Sequence, residues 1–228
     1  EWMPDHLETI IRLYHTFPQC GVFGTSYYFL REGEKPRLPI IPERFHFTGE
    51  DGVLDNYYEL ASGTDFPMQT SAYAVRIEII RSIGGFPVGI PSGEDILTLA
   101  RLRAVCEFAY SRKPTSIYYL TTGNNKSHRP ILKNDPLDAM FDKIYRQASQ
   151  KPGIRLFLSS WHKRRMSGAI LAHKYGLGMR EFWKAFCILP FQKKLYTSLL
   201  VTLFASMTGM SLYEINKRLK QPGSKETD

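Results

Sequence analysis

S-A-Y-A-V-R-I-E-I-I-R-S-I-G-G-F, residues 71–86, runs through P-V-G-I-P-S-G into E-D-I-L-T-L-A-R-L, residues 94–102, and this stretch decides the fold. The apolar run ending at Arg76 predicts a strand, and 77–83 predicts a brief helix. Gly84-Gly85 stops that helix, because positive φ costs a glycine little. Phe86 follows, and Ser92-Gly93-Glu94-Asp95 opens a second helix. Ser92-x-x-Asp95 also fits a capping box, with Ser92 as N-cap and an acid at the third helical position.

The order of strand, short helix, G-G-F, E-D pair and an arginine six residues after the aspartate resembles the acceptor side of inverting glycosyltransferases of family 2. Those enzymes have the GT-A fold. The likeness is close over 71–120 and loose elsewhere. It implies an α/β fold, a partial GT-A (Rossmann-like, nucleotide-diphospho-sugar transferase) domain with a mostly helical C-terminal appendage. It also implies roles: Asp95 as general base, Glu94 and Arg101 as its supports, and Ser71, Arg76, Gly85 and Phe86 along the substrate cleft. A cap needs neither the G-G-F nor the arginine, so the two together favour a catalytic Asp95.

Inverting transfer needs the acceptor hydroxyl to attack the anomeric carbon opposite the nucleotide leaving group. A hydroxyl is a poor nucleophile until a base takes its proton in the transition state. A helix N-terminus favours the charged carboxylate and lowers its basicity, so such a base works by position. Glu94 lies about 100° away around the helix axis, towards the acceptor or Arg101.

The chain opens with Trp2-Met3-Pro4-Asp5, and Pro4 suits a first helical turn. Leu7, Ile10, Ile11, Leu13 and Tyr14 predict the apolar face of that helix. In the family, a W-x-P-x-x-L-E run follows the D-x-D motif that carries Mg²⁺ or Mn²⁺ and the diphosphate. These 228 residues hold no D-x-D, no G-x-G-x-x-G and no P-loop. The expectation is that the nucleotide-binding half, with most of the divalent metal site, lies upstream, and that this stretch alone does not bind a nucleotide-sugar.

Charge divides the chain. Residues 1–150 carry 16 Lys and Arg against 18 Asp and Glu, whereas 151–228 carry 14 against 4. The change falls at Lys151-Pro152-Gly153 and predicts a near-neutral body with a basic appendage. By domain, 1–130 reads as the acceptor half of the catalytic domain and 131–228 as a helical, basic, membrane-associated appendage. Cys20, Cys106 and Cys187 lie far apart in apolar runs, which excludes a C-x-x-C zinc cluster and predicts buried free thiols. No signal-peptide pattern is visible.

Residues 20–30, rich in aromatic and β-branched types, predict a strand, 32–34 a turn, and 36–42 a proline-broken extended segment. The aromatics of 43–65, Phe45, Phe47, Tyr57 and Tyr58 among them, fit either core packing or a lid over the acceptor. Residues 106–110 and 116–120 predict two short strands. In the polar loop 121–130, the resemblance implies His128 as a further metal ligand, with Lys126 and Arg129 meeting diphosphate charge. Residues 135–150 and 154–174 are helical by period, with Asn134 or Asp135 as cap. The basic run Trp161-His162-Lys163-Arg164-Arg165 sits among apolar residues without a recognition-helix or RNP pattern, which argues against nucleic acid.

The 19 uncharged residues 195–213, flanked by Lys193-Lys194 and Lys217-Arg218-Lys220, nearly reach a bilayer span. Small and polar Ser198, Thr202, Ser206 and Gly209 form one stripe, and Leu199, Leu203, Phe204, Met207 and Met210 line other faces. An interfacial helix on an anionic membrane, a buried helix and a spanning helix all fit. The functional expectation is sugar transfer from a nucleotide-sugar to a saccharide or lipid-linked acceptor in cell-surface polysaccharide synthesis, cytoplasmic and peripheral at the inner face of the membrane. The alternative is a non-catalytic membrane-associated module.

Overall fold

A computed structural model describes residues 1–41, 44–90, 93–120, 136–212 and 215. The chain divides into two compact units, Glu1–Phe157 and a second beginning at Leu158, later than the 130/131 boundary read from sequence.

The first unit is α/β. Helix α1 (His6–Thr16) precedes strand β1 (Val22–Arg31), strand β2 (Asp51–Val53) and the short helix α2 (Tyr57–Leu60). A 3₁₀ turn, Thr70–Ala72, leads into β3 (Tyr73–Val75), α3 (Ile77–Ser82), α4 (Glu94–Val105), β4 (Phe108–Leu120) and α5 (Pro136–Ala148). The mixed sheet has the order β2-β4-β1-β3: β1 runs parallel to β4 and antiparallel to β3, and β2 is antiparallel to β4. The first six residues of β1 are all buried, as expected of a central strand covered on both faces. A Cβ on Gly24 would come within 2.8 Å of Met68 Cε, so glycine lets that methionine lie against the strand.

Residues 77–86 behave as their sequence indicates. Arg76 is the extended N-cap of α3, and Gly84 and Gly85 take φ of 80° and 75° just past its end. Two expectations change, and one open choice is resolved. The two strands expected around 106–110 and 116–120 are the single β4, whose ladder with β1 skips Arg112 and Lys113 at the Thr25/Ser26 register shift, pairs Pro114 with Ser26, and shifts again between Ser26 and Tyr28. Helix α1 starts at His6, after the turn holding Pro4, and buries His6, Thr9, Ile10 and Leu13. Leu7, Ile11 and Tyr14 are exposed. Tyr57 and Tyr58 are wholly buried, Tyr57 packing on Phe108 and Tyr58 on Phe157, so they belong to the core and not to a lid.

Buried His6 is held by a polar chain. Its Nδ1 lies 2.7 Å from Thr115 Oγ1, which lies 2.8 Å from Thr25 Oγ1, and Thr25 donates to the Ala72 carbonyl. With Thr25's proton committed to Ala72, Thr115 donates to Thr25 and His6 Nδ1–H donates to Thr115. Burial lowers the His6 pKa, consistent with a neutral ring. Trp2 stacks on that ring at 4.7 Å and donates from Nε1 to the Ser71 carbonyl. Both ends of this network thus brace the 70–72 turn.

The second unit consists, among the described residues, of α6 (Ile154–Leu171, whose first turn belongs to the first unit), α7 (Tyr175–Ile188) and α8 (Lys193–Thr208). Helix α8 ends at left-handed Gly209, short of the uncharged run's end at 213. No described helix is long and apolar enough to cross a membrane. Met166, Ile170, Phe182, Ala185 and Leu195 form its core, with Leu199 and Leu203 packed against them. Fully buried Glu181 joins α7 to α6: His162 Nδ1 lies 2.8 Å and Arg165 Nε 3.0 Å from the same carboxylate oxygen. Burial alone would raise this carboxyl, but hydrogen bonds from His162 and Arg165 and the charge of Arg165 bring it down to about 2. Of the three cysteines, Cys20 is buried, Cys106 half-buried and Cys187 exposed, so the expectation of buried thiols holds in full at Cys20, in part at Cys106 and fails at Cys187.

Candidate active site

Asp95 is the second residue of α4. The N-cap is left-handed Gly93, and Ser92, on which the capping-box reading rests, lies outside the described residues. One carboxylate oxygen, Oδ1, accepts from the neighbouring Ile96 N–H at 2.8 Å. The other, Oδ2, is 3.5 Å from Thr70 Oγ1, on the 3₁₀ turn that the Trp2 and His6 contacts hold. Half-buried Asp95 thereby presents one lightly engaged oxygen to a cavity of about 160 Å³.

The cavity wall is aromatic and otherwise saturated. Tyr27, Phe29, Phe66 and Tyr118 line it, with Phe29 edge-on to both Tyr27 and Tyr118. Asp65 also lines it, but its Oδ2 accepts from Arg37 Nη1 at 2.9 Å and from the Ile40 N–H at 2.8 Å. Arg37 in turn lies over the Phe29 ring. Gln69 spends its amide on Ser116 Oγ and its carbonyl on the Ser71 N–H. Nearby, Tyr73 Oη is buried with no hydrogen-bond partner among the described residues. Burial first, and the charge of Asp95 second, push that phenol up to about 12, so it stays a neutral donor at physiological pH.

At about 160 Å³ the cavity is smaller than the ~300–1,000 Å³ pockets that enclose drug-sized ligands. A single ring could sit there against aromatic faces while a hydroxyl met Asp95. A whole nucleotide-sugar could not.

The structure separates residues that the sequence grouped. Arg101, six residues after Asp95, sits about 120° round the helix. Its Nη1 donates to the Gly85 carbonyl at 3.1 Å, and burial lowers its pKa. Arg101, Gly84 and Phe86 line a second cavity, of about 430 Å³, with Lys143 of α5. Glu94 is exposed and makes no hydrogen bond or ion pair with Arg101 among the described residues. Exposed Ser71 uses its backbone carbonyl for Trp2 and its N–H for Gln69. Arg76 points elsewhere: it donates to the Cys20 and Pro18 carbonyls and stacks on Tyr14. Lys126, His128 and Arg129 lie outside the described residues. Thr70, Asp65 and the aromatic wall carry no local motif, and only the fold brings them to Asp95.

The metal site is expected upstream and at His128, and neither lies among the described residues. No three His, Cys, Asp or Glu side chains converge among them. Asp95 meets the cavity beside an Asp65 already neutralised by Arg37. Comparison of the chain with protein-family models and with curated proteins returned no match.

Proposed function

We propose that this chain forms the acceptor side of an inverting glycosyltransferase of the GT-A type, moving a sugar from a nucleotide-sugar to a saccharide or lipid-linked saccharide. One observation carries the reading: α4 presents an otherwise lightly held Asp95 oxygen to an aromatic cavity of about 160 Å³. Aromatic faces suit the C–H faces of a pyranose, and a carboxylate within reach of a hydroxyl suits proton removal.

The acceptor oxygen attacks the anomeric carbon and forms the new glycosidic bond. The bond from that carbon to the diphosphate oxygen breaks, and the nucleoside diphosphate leaves with the electron pair. The acceptor proton passes to Asp95 Oδ2. Thr70 orients that oxygen, and the ring walls hold the acceptor and exclude water. The reaction is placed at the cytoplasmic face of a membrane, where lipid-linked acceptors are presented.

Donor binding is assigned to a D-x-D segment that these residues lack. The test therefore joins the chain to such a donor half and measures transfer from a panel of nucleotide-sugars with Mn²⁺ to saccharide acceptors. Transfer with inversion that Asp95→Asn abolishes supports the proposal. No transfer from any donor in the panel overturns it in favour of a non-catalytic module.

A further inference from the structure

Helix α8 packs Leu195, Leu199 and Leu203 into its unit and turns its polar stripe inward beside them, leaving a second apolar stripe outward. Ser198 and Thr202 both meet Ser167 of α6, at 3.0 and 3.2 Å between hydroxyl oxygens. Ser206 donates to the Ile170 carbonyl of the same helix. On the opposite face Leu200 is 67 %, Phe204 52 % and Met207 81 % exposed, and these three lie within about 60° of one another at 100° per residue. Phe191, in the turn that enters α8, is 92 % exposed. Soluble helices place such residues the other way round.

Charge identifies the occupant of this face. Among the described residues from Leu158 onward, Glu181 is the one acid, and it is fully buried; eight are Lys or Arg. Among these described residues every formal charge at the surface is therefore positive, with exposed Lys193 and Lys194 opening α8 beside Phe191. Two such faces would repel each other, which disfavours a second copy of this chain. The 16 residues of α8 span about 24 Å, short of the ~30 Å hydrocarbon core, so the helix suits the surface of a bilayer and not its interior.

We propose that the outward face of α8, Leu200, Phe204 and Met207 with Phe191, inserts into the headgroup boundary of an anionic lipid bilayer, with Lys193 and Lys194 meeting its phosphates. The polar stripe is what makes this possible: by satisfying its hydroxyls within the unit, α8 frees its apolar residues for lipid. The proposal rests on the transferase reading only for its purpose, which is to hold the site beside lipid-linked acceptors.

The test is cosedimentation of the full chain with phosphatidylcholine vesicles, with and without phosphatidylglycerol. Binding should require phosphatidylglycerol and weaken as salt rises. The triple variant Leu200→Ser, Phe204→Ser, Met207→Ser should lose at least about tenfold in vesicle affinity with an unchanged circular dichroism spectrum, because the replaced side chains are exposed. Lys193→Gln with Lys194→Gln should reduce the gap between the two vesicle types. Wild-type chain left in the supernatant at low salt overturns the proposal. So does triple-variant binding equal to wild type, and so does a wild-type dimer that the triple variant converts to monomer. Asp95→Asn should sediment like wild type, so failure of membrane binding and failure of transfer are read separately.

Discussion

Asp95 differs from a capping carboxylate in where its oxygens go. A cap spends its side chain on the open N–H groups of its own helix, whereas Asp95 gives only Oδ1 to such a group, the Ile96 N–H, and turns Oδ2 to Thr70 and the cavity. Asp95→Asn keeps shape and volume but removes the proton acceptor. It should lower kcat by at least about 100-fold and leave donor affinity within about twofold, measured as single-turnover transfer against donor titration. A near-normal kcat would reduce Asp95 to a helix-start residue. Asp95 was legible in the sequence because its neighbours G-G-F and Arg101 are local. Asp65 was not, since its position depends on Arg37 and Ile40, more than twenty residues earlier. Arg101 was legible as a residue but not as a partner: the helix turns it away from Asp95 to the Gly85 carbonyl.

At the scale of elements, local chemistry gave good limits for α3, α4 and β1 and poor ones where the sheet overrides it. Ser111-Arg112-Lys113-Pro114 reads as a strand breaker, yet β4 continues through it by shifting register against β1. Aromatics at 57 and 58 suit a core more often than a lid, and the neighbours that decide between them, Phe108 and Phe157, come from β4 and α6. The apolar face of α1 was misjudged because buried His6 and Thr9 look polar until Thr115 partners the histidine. The β1 contact with the cavity floor gives a test. Gly24→Ala sets a Cβ 2.8 Å from Met68, a flexible side chain that also lines the site. The variant should lose about 1–2 kcal/mol in urea unfolding through overpacking. Its acceptor KM should rise more than its donor KM, because Met68 lines the cavity and a shift towards it narrows the acceptor's space.

Across the whole molecule, ionisation sets the second unit apart. Lys163 is half-buried, and burial first, then the charges of Arg164 and Lys194, lower its pKa to about 8. A lysine whose folded pKa lies below its unfolded value of 10.5 costs stability in full below about pH 8, and the cost fades between about 8 and 10.5. Lys163→Met should therefore stabilise the unit at pH 7 by roughly 1 kcal/mol, after discounting for solvent screening, and by nothing at pH 10.5. Thermal unfolding at the two pH values measures the difference.

Glu181 has the opposite sign. Its pKa of about 2 lies below the unfolded value of 4.5, so the stability it supplies is complete above about pH 4.5 and is lost as pH falls towards 2. Glu181→Gln leaves Arg165 and His162 facing a neutral amide in a buried site, and removing one partner of a buried pair costs about 3–5 kcal/mol. The variant should be less stable at pH 7 and should show a flatter acid limb between pH 4.5 and 2. Its partners, His162, Arg165 and Lys184, all lie beyond residue 157, so the loss should stay within the second unit. Hydrogen exchange resolves this: amides of α7 and α8 should lose protection while those of β1 and β4 keep theirs. Equal loss in the β1–β4 ladder would mean that the chain unfolds as one block.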